Sequence, residues 1–92
     1  MNDRRLFLEV WEDEGEMFAL ILAGPRGVQA RQQMSPRARL VKVISASSHF
    51  EAMTTYYKLL DWGVYTTDQP DAHHPFPREW VLEQQASRRP QI

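Results

Sequence analysis

At 92 residues and 10.8 kDa the chain has material for one compact domain and too little for two independent cores, and its 42% apolar content excludes wholesale disorder. Eleven Lys and Arg against twelve Asp and Glu give a formal net charge of -1, which excludes the basic balance of a dedicated nucleic-acid coat protein. There is no cysteine, hence no disulfide framework, thiolate nucleophile or zinc-thiolate site, and the longest apolar run, residues 17–23, is too short to cross a bilayer.

In chain order, residues 5–12 alternate with period two, Leu6, Leu8 and Val10 on one side and Phe7, Glu9 and Trp11 on the other, which predicts a strand. Residues 16–23 form a second such segment, and Asp13-Glu14-Gly15 between them suits a three-residue hairpin loop with glycine at the left-handed position. Setting Glu12 opposite Glu16 pairs Leu6 with Leu22, Leu8 with Leu20 and Val10 with Phe18, an apolar face that must be buried. The other face pairs Phe7 with Ile21, Glu9 with Ala19 and Trp11 with Met17. That face is too apolar for an ordinary solvated surface and predicts a cover, from a local segment or from another chain.

Gly24-Pro25-Arg26-Gly27 ends the second strand, and residues 28–34 suit a short helix before Ser35-Pro36 breaks it. Residues 38–46 are rich in β-branched side chains and predict a third strand. Ser48-His49-Phe50-Glu51 has the form of a capping box, in which the serine hydroxyl accepts from the Glu51 N–H and the carboxylate returns to the serine N–H. A helix over 49–61 follows, with Phe50, Met53, Tyr57 and Leu60 as its apolar stripe, Tyr56 widening it and Gly63 ending it. Residues 64–67 suit a short edge strand and 68–76 an irregular stretch. A closing helix runs from Pro77 to about Gln85, and residues 87–92 form a frayed tail.

Four groups of residues raise the question of chemistry. Ser47, Ser48, His49 and Glu51 resemble hydrolytic parts only in composition, since residues two apart on a helix point about 200° away from one another; the cap explains them. His73-His74, near Asp68 and Asp71, lack metal-ligand spacing, because adjacent histidines in extended chain face opposite ways. At residues 24–27 the glycines let backbone N–H groups approach an anion that Arg26 and Arg31 would clamp, with Gly27 at the approach, although a connecting turn explains the same residues. Finally, six of the ten aromatics, Tyr56, Tyr57, Trp62, Tyr65, Phe76 and Trp80, follow position 55, more than one helix face needs, and interfaces are enriched in such residues.

Charge is laid out in blocks. Residues 1–16 hold six acids and two arginines, whereas residues 17–50 hold Arg26, Arg31, Arg37, Arg39 and Lys42 and no acid. Such blocks can pair internally or present a two-signed surface to a partner.

The expectation is one α+β domain over 1–92, with a small sheet of a hairpin and a third strand packed on one main helix. Absence of a signal-like segment points to a cytoplasmic location away from membranes. No catalytic constellation, metal site or cofactor is expected. The function expected is a non-enzymatic protein-interaction module that meets a protein partner or oligomerises through Phe7, Trp11, Met17, Ile21, Trp62 and Tyr65. The alternative is anion or nucleic-acid binding through residues 26–42, with Arg26, Gly27 and Arg31 at its centre.

Overall fold

The structure, a computed structural model, describes residues 5–15 and 17–87; the tail expected from residue 87 therefore lies, from residue 88 on, outside the described residues. Three strands, β1 (Leu6–Asp13), β2 (Met17–Leu22) and β3 (Arg39–Ala46), form an antiparallel sheet in the order β2-β1-β3. Helices α1 (Val28–Gln32), α2 (His49–Leu60) and α3 (Arg78–Ser87) complete a small α+β fold.

The hairpin forms with a different register from the one the alternation suggested. Leu8 faces Leu22, Val10 faces Leu20, Glu12 faces Phe18 and Asp13 faces Met17, a slide of two residues. Both Glu14, at φ 56, and Gly15, at φ 82, take left-handed backbone, so the reversal falls at these residues and Asp13 joins the strand. There its carboxylate accepts the Ser35 N–H at 3.0 Å and the Ser35 hydroxyl. An even slide keeps every side chain on its own face, which is why the predicted apolar face survives the change.

That face is the inner one. Leu6, Leu8, Val10, Ile44 and Ala46 are buried beneath Ala52 and Tyr56 of α2, Val81 of α3 and Phe76. On α2 the buried line is Ala52 and Tyr56; Met53, Tyr57, Leu59 and Leu60 flank it. Phe50, expected on the central stripe, turns aside to meet His73 at 4.3 Å and Tyr65 at 5.8 Å between ring centroids.

Helix α2 starts at His49 as the cap requires, with the Ser48 hydroxyl accepting the Glu51 N–H at 3.1 Å. The return contact goes one residue earlier than expected, for the Glu51 carboxylate accepts the Ser47 N–H at 2.5 Å and the Ser47 hydroxyl at 2.9 Å. At the other end Asp61, at φ 58, takes the left-handed position assigned to Gly63, and the Trp62 N–H donates to the Tyr57 carbonyl at 2.9 Å. Residues 64–67 are not a strand. Tyr65 packs against His49, Phe50 and Tyr57, which draws this segment onto α2 instead of a sheet edge, and leaves Val64 86% exposed.

One buried polar side chain joins the layers. Where β1 and β2 part, the Ala23 N–H still donates to the Phe7 carbonyl at 3.0 Å, but the other half of that rung is opened by Gln84 of α3. Its Oε1 accepts the Phe7 N–H at 2.7 Å, and its Nε2 donates to the carbonyls of Ala23 at 2.8 Å and Phe7 at 2.9 Å. The carboxamide, with a donor and an acceptor on one plane, stands in for a strand residue and leaves the spread ladder satisfied.

Candidate functional site

With β1 in the middle of the sheet, the β2–β3 connection has to cross it, and it does so on the face opposite the core. Glu9 and Trp11 of β1 meet this crossing. The Glu9 Oε1 accepts the Trp11 indole N–H at 2.9 Å and lies 3.4 Å from Nη1 of Arg31. Arg31 also donates to the carbonyls of Leu22 at 3.0 Å and Gly24 at 2.7 Å, tying α1 down over β2. Ile21, expected on a contact surface, is thereby buried at 7% exposure, and Trp11 is half-buried. A local segment is thus the cover for this half of the face.

Gly27 sits where this cover comes closest to the sheet. A Cβ there would stand 1.9 Å from the Leu22 carbonyl oxygen and 2.8 Å from Cγ2 of Ile21. The glycine accordingly serves close packing, and its backbone is buried.

Three of the five cations of the central block are engaged by carboxylates from the two acidic ends of the chain. Arg26 holds Glu83 through Nε at 2.7 Å and Nη2 at 3.2 Å and lies 4.7 Å from the centre of the Trp80 ring. Arg31 meets Glu9, and Arg39 donates from Nε to Glu12 at 2.7 Å. The structure therefore places the sequence-predicted anion group, Arg26, Gly27 and Arg31, in one connecting segment but spends its charges internally.

The crossing segment does not extend over the β3 half of the outer face. Phe7 and Val43 project to it, the latter 45% exposed, and beyond them Leu40 opposite Trp11 is 46% exposed. A bulge between Val10 and Trp11 inserts Val41, also 46% exposed, into β3. Met17, at the far corner on β2, is the most exposed of the expected contact residues on this face. Sequence reading missed Leu40, Val41 and Val43: β-branched richness marked the strand, but an inserted residue leaves no trace in the pattern of alternation.

Trp62 and Tyr65 do not join this face. Trp62 rests edge-on against Tyr56 and Tyr57 at 5.4 Å, within the helical layer, and Tyr65 meets Tyr57 at 5.1 Å. Burial pushes the Tyr56 phenol above its ordinary value, helped by the neighbouring Tyr57. Hydrogen bonds lower two carboxyls. Asp13 is held down by the Ser35 hydroxyl and N–H; Glu51 by the Ser47 N–H, then the Ser47 hydroxyl and Arg5, against an opposing effect of burial.

Among the described residues no three His, Asp or Glu side chains stand close enough to hold a metal ion, and no helix is long and apolar enough to cross a membrane. His74 lies 3.8 Å from Asp71, while His73 stacks on Phe50. Comparison with protein-family models, curated proteins and solved structures finds no match to this chain.

Proposed function

We propose that the chain is a small, non-enzymatic protein-interaction module of the cytoplasm whose docking surface is the β3 half of the outer sheet face. The observation that supports this reading is the group Leu40, Val41 and Val43, each nearly half exposed, beside Phe7 on a face whose other half is closed by its own crossing segment. Apolar side chains held on a sheet strand present a surface that loses little conformational entropy on docking. The alternative, anion or nucleic-acid binding through residues 26–42, is disfavoured by the carboxylate partners of Arg26, Arg31 and Arg39.

The test is capture from the native cell with the wild-type chain, a Leu40→Ser/Val43→Ser double variant and a Lys58→Ala control. A discrete protein retained by the wild type and the control and lost by the double variant is the expected result. A partner held equally by all three would overturn the assignment of the surface. Fluorescence anisotropy with single-stranded and duplex nucleic acid, at low and physiological salt, tests the alternative; steeply salt-sensitive binding lost with Arg26→Ala/Arg31→Ala would establish it instead.

A further inference from the structure

The two edges of the sheet are treated differently. The Ala23–Phe7 hydrogen bond sets the phase of the β1–β2 ladder, so the odd residues of β1 point their backbone groups toward β2 and the even ones toward β3. On β3 the outward backbone groups include those of Val43 and Ser45. The Ser45 carbonyl accepts Nη2 of Arg5 at 2.9 Å, the Val41 bulge interrupts the strand, and Arg39 and Lys42 add charge. These are the devices by which a sheet edge avoids pairing. On β2 the outward groups belong to Phe18, Leu20 and Leu22. Among the described residues a side chain intervenes only at Leu22, Arg31 on its carbonyl, and the strand Met-Phe-Ala-Leu-Ile-Leu holds no charge, proline, glycine or bulge.

We infer that β2 pairs antiparallel with β2 of a second copy of this chain, joining two sheets into one of six strands. This goes beyond the docking reading and uses a different surface, the edge and not the face. The open groups choose the register. With the two-fold axis at Ala19, Phe18 of each copy faces Leu20 of the other, and these pairs exchange four main-chain hydrogen bonds without calling on the occupied Leu22 carbonyl. Ala19 then meets Ala19 at the close-spaced position, where a small side chain fits, and Met17, 66% exposed, meets Ile21.

Charge is compatible with the same arrangement. Antiparallel pairing carries the acidic turn at Asp13 and Glu14 of one copy toward the end of β2 in the other, twice by symmetry, where the partly exposed Arg26 can share its charge between Glu83 of its own chain and that turn. The formal net charge of -1 leaves little repulsion to oppose self-association.

Sedimentation of the wild-type chain across the micromolar range, combined with backbone amide exchange by NMR, tests the pairing. The expected result is a species of twice the 10.8 kDa chain mass, in which the Phe18 and Leu20 amides exchange about tenfold or more slowly than in the dilute chain. Ala19→Glu and Ala19→Lys should each run as single chains and associate when mixed, since like charges at the axis repel and opposite ones attract. A doubled mass with both amides exchanging fast would place the contact elsewhere and overturn the inference. A single-chain mass throughout would also overturn it, and neither result touches the capture experiment on the outer face.

Discussion

Replacing Gln84 by methionine keeps the side-chain volume and removes the groups that complete the parted ladder. Three hydrogen bonds are lost, and the acceptor of the Phe7 N–H and a donor to the Ala23 carbonyl go with them; Gln84 is 4% exposed. Leaving a buried backbone group unsatisfied costs about 1–3 kcal/mol. Two such groups set a ceiling of about 6 kcal/mol, and closure of the rung between Phe7 and Ala23 recovers part, so a loss of about 2–3 kcal/mol is expected. For a domain of this size that corresponds to a fall in Tm on the order of 10–20 °C. Urea and thermal denaturation followed by far-UV circular dichroism measure it, with Gln85→Met as the exposed neighbour for comparison. A Gln84→Met protein within about 0.5 kcal/mol of wild type would refute the reasoning, because a buried amide with three partners cannot be both structural and dispensable.

Ser48→Ala should cost about 1 kcal/mol in urea denaturation through loss of the α2 cap. Gly27→Ala should cost about 1–3 kcal/mol, since the added methyl group meets the Leu22 carbonyl and the crossing segment must lift; proteolysis in the 25–35 region should accelerate with it. Asp13 and Glu51 both have lowered folded-state pKa values, so their stabilising effect is present above the ordinary carboxylate range and is lost as pH falls through their folded values; Tm should drop on acidification, and Glu51→Gln should flatten that limb. The raised phenol of Tyr56 should ionise above the ordinary phenol range in an absorbance titration, a component that Tyr56→Phe removes.

Local rules carried far in this chain because the patterns are strong. Alternation in β1 and β2 marked the buried face, and it did so despite the wrong register, since a two-residue slide leaves both faces unchanged. The serine cap fixed the start of α2 to the residue. What was not legible depends on tertiary choices. The left-handed turns fell to Glu14 and Asp61 as well as to glycine: the short side chain of Asp61 tolerates that backbone, and at Glu14 the tight hairpin imposes it. Ala52 lies on the buried line of α2 although a stripe drawn through large side chains passes it by; close approach to β3 favours the smaller residue. Of the alternatives left open for the outer face, a local cover or another chain, the structure shows the first on the β2 side, where Arg31 and Gly27 close it, and leaves Leu40, Val41 and Val43 exposed on the β3 side. Charge blocks left internal pairing and a two-signed surface as alternatives; Arg26, Arg31 and Arg39 pair internally, and which acid each meets follows from the crossing over β1. Gln84, a polar residue in an otherwise ordinary closing helix, gave no sign of its place in the ladder.

The most direct measurement of the proposed function is site-specific photocrosslinking in the native cell, with a benzophenone side chain placed at the exposed Val43 on the outer face or at Lys58 on the exposed side of α2. The docking account predicts a discrete crosslinked protein from position 43 and none from position 58. Equal crosslinking from both positions, or a product from position 58 alone, would contradict it.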